Sequence, residues 1–179
     1  TRDPVEVVTG DRDLFQLVRT GPPPVSVIYV GKGWAKAEVL GPDELAHRYD
    51  LPAGHAGTAY ADMAMLRGDP SDGLPGVAGI GEKTAAKLIT RFGSLEALRD
   101  AAARGDGDVP PRARTALAGA ADYLDAAPVV VRTVTDAPVT GPGDDRVPSG
   151  PADPDRVADL AARYNLGGAA TRLVDALQG

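Results

Sequence analysis

The chain has 179 residues, of which 43% are hydrophobic and 4% aromatic, enough for one domain or one compact body with a small helical annex. It has no cysteine and no apolar run near the roughly 20 residues that span a bilayer, which excludes thiolate chemistry and predicts a soluble, cytoplasmic protein without membrane contact. The net charge of −6 argues mildly against a generic nucleic-acid binder, although carboxylates that bind cations also raise the acidic count.

Strand and helix signals alternate over the first 55 residues and predict an α/β body. The chain enters a strand almost at once, at Val5–Thr9, and further strands are predicted at 25–30 and 35–40. Helical spacing follows Asp13, and Pro42 opens a short helix. Because a domain rarely begins inside its sheet, we expect this chain to be a fragment whose upstream portion is missing.

From residue 57 onwards the pattern becomes helical. Helices are predicted over 57–66, 82–92, 94–103, 111–126, 154–164 and 168–177. The β propensity of Val129–Val131 favours a strand, with a continued helix as the alternative. Residues 140–153, rich in Gly, Pro and Asp, are predicted as a loop. The order is therefore α/β first and all-α afterwards.

Two pairs of carboxylates are candidates for chemistry. Asp11 and Asp13 follow the first strand, where ligands collect in open α/β sheets. Asp69 and Asp72 lie in a loop that prolines stiffen. Four carboxylates at one place would suit Mg²⁺ or Mn²⁺, since such a cluster needs a cation to stay ionised. A helix cap and a polar turn are the ordinary alternatives.

A glycine-rich segment is the strongest single signal. Gly79 and Gly81 stand directly before the amphipathic helix predicted over 82–92, so backbone N–H groups can converge there beside the positive end of the helix dipole. Lys83 and Thr84 can add a charge and a hydroxyl to the same phosphate. A Rossmann loop needs a preceding strand, and a Walker A loop needs Gly-Lys-[Ser/Thr], so a helix–hairpin–helix that grips nucleic-acid backbone remains.

Two segments together resemble a known family. Val8–Leu17 (VTGDRDLFQL) resembles the metal-site segment of bacterial 5′-nucleases, including the 5′-nuclease domain of DNA polymerase I. Gly68–Ala85 (GDPSDGLPGVAGIGEKTA) resembles the helix–three-turn–helix motif of the same family. The two motifs occur in the family's order and approximate spacing. The absence of a following polymerase domain makes the chain most similar to the stand-alone actinobacterial flap endonucleases.

The resemblance implies a domain organisation. Residues 1–55 would be the C-terminal part of a PIN-like α/β catalytic body, and residues 56–135 a SAM-like, helix–three-turn–helix DNA-binding subdomain. Residues 136–179 would form a loop and helices that pack back on the body. The upstream half of the family's fold, which supplies the first metal site, is not in this sequence.

The resemblance also implies site residues. The catalytic, divalent-metal-binding residues would be Asp11, Asp13, Asp69 and Asp72. The residues that bind DNA would be Gly79, Ile80, Gly81, Glu82, Lys83, Thr84 and Lys87. Some family members also bind K⁺ through backbone carbonyls, which here would belong to Leu66, Arg67, Pro75, Val77 and Ile80. The chain would thus hold one half of a two-metal site whose ions lie about 3.5–4 Å apart.

The resulting hypothesis is a monomeric, metal-dependent 5′-3′ exonuclease and 5′-flap endonuclease that hydrolyses DNA in replication and repair. Its partners would be duplex DNA with a 5′ end or 5′ flap, and the missing upstream half of the same protein. A non-catalytic DNA-binding module is the alternative for the fragment alone. A nucleotide-binding α/β protein is disfavoured, since the chain lacks a βαβ frame.

Overall fold

The structure of the chain is a computed structural model that describes residues 3–141 and 146–179. The predicted loop at 140–153 therefore lies partly outside the described residues. The chain divides into two compact units, Thr1–Thr135 and Asp136–Gly179. No helix in the described ranges is long and apolar enough to cross a membrane.

The first unit begins with a small sheet of the order β1-β2-β3. The strands are β1 (Val5–Thr9), β2 (Val25–Tyr29) and β3 (Glu38–Leu40). β1 pairs in parallel with β2, with Val7 opposite Val27, and β2 pairs antiparallel with β3, with Val27 opposite Leu40. Val7, Val27 and Leu40 thus lie side by side across the sheet and face the core. The polar turn after β1 lies at the carboxyl end of the parallel strand pair.

Six helices follow the sheet in the described part of the first unit. They are α1 (Pro42–Tyr49), α2 (Ala56–Arg67), α3 (Glu82–Phe92), α4 (Leu95–Ala103), α5 (Pro111–Gly119) and α6 (Ala121–Val131). Short 3₁₀ helices lie at Asp13–Leu17, Trp34–Lys36, Ala53–His55 and Pro70–Asp72. The mixed α/β class is confirmed, as are the three strands and the amphipathic helix that follows the glycines.

The central helix is α2, which is buried along almost its whole length. It packs against α3, α1, α6 and the 3₁₀ helix Asp13–Leu17. One continuous hydrophobic cluster therefore joins the sheet to the helices of the first unit. Four aromatic rings meet at its sheet end, and Phe15 lies at their centre, with its ring 5.3 Å from the rings of both Tyr29 and Tyr60.

The predicted strand at Val129–Val131 is wrong, because these residues end α6. Pro128 inside this helix cannot donate a backbone hydrogen bond to the carbonyl of Leu124, four residues earlier. The guanidinium of Arg99 donates to that carbonyl instead, at 3.3 Å, and Nη2 of the same side chain forms an ion pair with Asp125. The side chain of Val129 is 87% exposed, so the valines are helical without being buried.

Two other boundaries differ from the prediction. The helix expected over 111–126 is split at Ala120, directly after Gly119. The backbone N–H of Ala120 donates to the carbonyls of both Ala116 and Leu117, which closes α5 as a tightened last turn. The strand expected over 35–40 is confined to its last three residues, because the first part forms a 3₁₀ turn.

The second unit contains α7 (Pro154–Arg163) and α8 (Gly168–Gln178), which contact each other. The carboxylate of Asp153 caps α7 by accepting from the backbone N–H of Arg156 at 2.9 Å. No described residue of this unit is buried within it. The packing of this unit on the body stays a prediction.

A close backbone contact fixes α2 against the 3₁₀ helix that follows β1. A Cβ atom added at Gly57 would lie 2.3 Å from the carbonyl oxygen of Val18 and 2.6 Å from that of Gln16. Both neighbours are backbone atoms, which cannot rotate away. The contact therefore requires glycine, although alanine would favour the helix by up to about 1 kcal/mol.

We predict that Gly57→Ala lowers the free energy of unfolding by about 1–3 kcal/mol, because the new methyl group overlaps fixed backbone. Gly54→Ala is the matched control, since a Cβ at Gly54 meets nothing within 4 Å. Urea denaturation at 25 °C measures both. Stabilisation by Gly57→Ala, as helix propensity alone would give, would contradict the close contact.

Candidate active site and nucleic-acid interface

The first acidic turn follows β1 directly. Its backbone is held by two local hydrogen bonds. The N–H of Asp11 donates to the hydroxyl of Thr9 at 3.0 Å, and the N–H of Asp13 donates to the carboxylate of Asp11 at 2.9 Å. Asp11 therefore shapes the turn as well as carrying charge, although the N-cap position of the following 3₁₀ helix belongs to Arg12. Asp13 then begins the 3₁₀ helix whose Phe15 is fully buried.

The second acidic turn follows α2. Asp69 and Leu74 exchange backbone hydrogen bonds of 3.0 and 2.9 Å, which close a loop around Asp72. The carboxylate of Asp69 accepts from the N–H of Ser71 at 3.0 Å and also from the Ser71 hydroxyl. Local hydrogen bonds thus order this turn as well, and its carboxylates lie at a fixed place beyond the end of the central helix.

Both turns line one open cavity of about 940 Å³. The carboxylates that line it belong to Asp11, Asp13, Asp69 and Asp72. The side chains of Arg12 and Arg67 also line it, together with Val130 and Val131 from the end of α6. The two carboxylate pairs therefore lie at the same place in the fold, although 58 residues separate Asp11 from Asp69 in the sequence.

The electrostatics agree with this proximity. Burial raises the pKa of the Asp13 carboxyl above its usual range, and the other three carboxylates of the cavity raise it further. The hydrogen bonds from Ser71 instead hold the pKa of Asp69 below its usual range. In residues 3–141 and 146–179, however, no three Asp, Glu, His or Cys side chains lie close enough to enclose a metal ion.

The donor atoms of the cavity, carboxylate oxygens of four aspartates, are of the kind that a hard divalent cation binds. Carboxylate oxygens are the ligands that Mg²⁺ and Mn²⁺ prefer, and repulsion between carboxylates would fall when a cation is bound. The hydroxyl of Tyr60 is buried at this cavity and, in the described part of the chain, has no hydrogen-bond partner of ordinary geometry. Burial raises the pKa of this hydroxyl, which stays a neutral donor.

Arg67 connects the acidic cavity to the neighbouring hairpin. Its guanidinium lines the cavity and forms an ion pair of 2.9 Å with Glu82, the first residue of α3. Burial acts to lower the pKa of Arg67, but the hydrogen bond that Arg67 donates to Glu82 contributes to a pKa that is raised overall. The cavity and the start of α3 are thus joined by a direct side-chain contact.

The hairpin between α2 and α3 is closed by two glycines. A Cβ at Gly76 would lie 2.5 Å from the carbonyl oxygen of Arg67, and a Cβ at Gly68 would lie 2.6 Å from the N of Gly76. Both glycines have positive φ, at 66° and 78°. Val77 then donates to the carbonyl of Leu66 at 2.9 Å, which holds the loop on the end of α2.

The predicted DNA-binding residues surround the N-terminus of α3. Lys83, Thr84 and Lys87 are exposed, while the opposite face of the helix packs in the core. Ile80 is only 4% exposed, so it can offer its backbone but not its side chain. The carboxylate of Glu82 is paired with Arg67, which leaves the backbone N–H as the contact that Glu82 can offer to a phosphate.

The carbonyls predicted for K⁺ lie in the same hairpin. Two of the five already accept backbone hydrogen bonds, Leu66 from Val77 at 2.9 Å and Val77 from Ile80 at 2.9 Å. A carbonyl oxygen has a second lone pair, so these bonds do not remove it as a ligand. The potassium site stays a prediction.

Sequence reasoning missed several residues of this region. Gln16 lies beside the acidic turn, and Arg12 and Tyr60 line the cavity. Arg12 could have been noticed because it stands between the two acids of its turn. Tyr60 and the end of α6 carried no such signal, since only tertiary packing brings them to the cavity.

Comparison with known proteins identifies the family. The model of the 5′-3′ exonuclease, C-terminal SAM fold, matches residues 56–154, more than half of the chain. The chain therefore belongs to the 5′-3′ exonuclease family.

Curated relatives agree with this assignment. The chain is 54% identical to a 5′-3′ exonuclease of Mycobacterium tuberculosis over 177 residues, which is 98% of this chain and 56% of the relative. It is 45% identical to a 5′-3′ exonuclease of Streptomyces coelicolor, over 97% of this chain and 56% of the relative. A DNA polymerase I of Mycobacterium leprae is 45% identical over 64% of this chain and 12% of its own length. The chain spans about half the length of the two exonucleases.

The fold is shared with solved structures. A bacteriophage T5 flap endonuclease, crystallised in a complex with DNA and metal ions, matches with a TM-score of 0.56 and 18% identity, over 72% of this chain and 43% of that one. A T5 5′-exonuclease with bound zinc matches with the same TM-score and 19% identity. This likeness establishes the α/β architecture with its helical subdomain.

We predict that Gly76→Ala lowers the free energy of unfolding more than Gly73→Ala, by at least about 1 kcal/mol. Both glycines have positive φ and therefore share the conformational cost of about 1–2 kcal/mol. Only at Gly76 does the added Cβ overlap backbone, whereas at Gly73 it meets nothing within 4 Å. Urea denaturation measures the free energy of unfolding of both variants. Equal losses of that free energy would contradict a closed hairpin.

Proposed function

We propose that this chain provides the second metal site and the DNA-binding hairpin of a metal-dependent 5′-3′ exonuclease and 5′-flap endonuclease. The observation that carries the proposal is the convergence of two carboxylate-bearing turns on one cavity, directly beside the hairpin. The 5′-3′ exonuclease family and the relatives with that name support the reaction class. The substrate would be DNA with a free 5′ end or a 5′ flap.

The divalent cation would be Mg²⁺ or Mn²⁺, held by carboxylates of both turns. The ligands would be Asp11, Asp13, Asp69 and Asp72. When bound, such cations activate water as a nucleophile and offset the charge that develops on phosphate oxygens. Arg12 and Arg67 add positive charge at the rim, where they would attract the phosphate backbone towards the carboxylates.

The hairpin would hold the duplex away from the cut. The backbone N–H groups of Glu82 and Lys83 precede the first hydrogen bonds of α3, which Thr84 and Ala85 donate to Gly81, and the dipole of this helix favours an anion there. Lys83 and Lys87 lie one helical turn apart on the exposed face and can follow neighbouring phosphates. Such contacts grip backbone without reading bases, so binding would be independent of sequence.

We predict that Asp69→Asn and Asp72→Asn each reduce cleavage by at least about 100-fold while duplex binding is retained, because a metal ligand is lost but the hairpin is not. The measurements are cleavage of a labelled flap oligonucleotide with Mg²⁺ and fluorescence anisotropy of the same DNA with chelator. Asp122→Asn, on the exposed face of α6, is the matched control.

Normal cleavage by both variants would contradict the metal assignment. If the intact wild-type protein binds the flap DNA with Mg²⁺ but does not cleave it, the non-catalytic module is the correct function. Tight binding of ATP or NAD with no affinity for DNA would contradict both.

We predict that Lys83→Ala and Lys87→Ala each reduce the slope of log affinity against log salt by about 0.9, the contribution of one phosphate contact on duplex DNA. In the double variant the slope should fall by about twice as much, while the cleavage rate at saturating DNA should change little. Lys36→Ala, an exposed lysine in another part of the unit, is the control. An unchanged slope in the double variant would place the DNA elsewhere.

A further inference from the structure

Gln16 links the first acidic turn to a segment that is far away in the sequence. Its side-chain amide donates to the carbonyl of Asp13 at 2.7 Å and to the carbonyl of Val131 at 3.0 Å. Its side-chain oxygen accepts from the backbone N–H of Thr133 at 2.8 Å. One half-buried amide therefore joins the acidic turn to residues 115 and 117 positions later.

The distant end of this link is itself fixed. Arg132 lies between the two residues that Gln16 contacts, and it forms ion pairs with Asp62 at 2.9 Å and with Glu96. Asp62 is buried within α2 and also accepts from the backbone N–H of Leu95 at 2.9 Å, at the start of α4. The segment after α6 is thus anchored to two helices of the core.

The same segment borders the acidic cavity. Val131, whose carbonyl Gln16 contacts, lines the cavity together with Val130 and the four carboxylates. A change in the hydrogen bonds of Gln16 would therefore move one wall of the cavity and Asp13 relative to each other. Asp69 and Asp72 are held by their own local bonds and would not follow.

We propose that Gln16 is a positioning residue that sets the separation between the two carboxylate pairs, and thereby the affinity of the cavity for a divalent cation. This inference rests on the proposed function. The amide suits the role because it donates to two carbonyls and accepts from an N–H at once. Glutamate keeps the acceptor but loses both donations, and methionine keeps the volume but loses all three bonds.

The test uses Gln16→Met and Gln16→Glu in the intact protein, with Gln178→Met on α8 as the matched control. Calorimetric titration with Mn²⁺ in the absence of DNA measures ion affinity, and circular dichroism establishes the fraction folded. Cleavage of a flap oligonucleotide gives KM and the Mn²⁺ concentration for half-maximal rate. We expect both variants to bind Mn²⁺ at least about 10-fold more weakly, with KM for DNA changed less than twofold.

Thr133→Pro provides a second, milder variant should the Gln16 variants fail to fold. It removes the N–H that donates to Gln16, together with the exposed threonine side chain, and the extended conformation of Arg132 tolerates a following proline. Its Mn²⁺ affinity should fall by about 2- to 10-fold, the equivalent of one hydrogen bond.

A lower melting temperature with unchanged Mn²⁺ affinity in the folded variants would overturn the proposal, since a purely structural role gives that result. Unchanged Mn²⁺ affinity in folded Thr133→Pro would overturn it as well. A wild-type protein that neither binds Mn²⁺ nor cleaves would instead overturn the proposed function itself.

Discussion

The backbone contact between α2 and the 3₁₀ helix after β1 determines where the two acidic turns lie. At one end the carbonyls of Gln16 and Val18 rest on Gly57, where a side chain would not fit. Further along, Phe15 packs against Tyr60, with 5.3 Å between the ring centroids. The 3₁₀ segment therefore lies beside α2, and the acidic turn that precedes it comes to the end of that helix, where the second acidic turn begins.

This arrangement has an electrostatic cost in the absence of a cation. Burial and neighbouring carboxylates raise the pKa of Asp13, so its ionisation disfavours the folded state. Local hydrogen bonds offset part of this cost by ordering each turn separately. The carboxylate of Asp11 accepts from the N–H of Asp13 in the first turn, and that of Asp69 accepts from the N–H of Ser71 in the second. Functional sites commonly keep such unfavourable groups, because binding of the ligand neutralises their charge.

The sequence predicted the features that depend on local pattern. Helix α3 was predicted at its observed bounds, because the glycines, the amphipathic spacing and the closing glycine all act within 15 residues. Val129–Val131 was not, because β propensity favours a strand there, whereas the structure continues α6 through Pro128 and Arg99 donates to the carbonyl that this proline leaves free. Long-range links such as Gln16 with Thr133 and Arg67 with Glu82 leave no periodic signal, so only the fold could reveal them.

We propose that two turns from distant parts of the chain form one cation site. The most direct measurement is the anomalous scattering of Mn²⁺ in crystals of the intact protein. We expect an ion in the cavity that is coordinated by at least one carboxylate from the Asp11–Asp13 turn and at least one from the Asp69–Asp72 turn. An ion bound by one turn alone, or a cavity without an ion at saturating Mn²⁺, would contradict it.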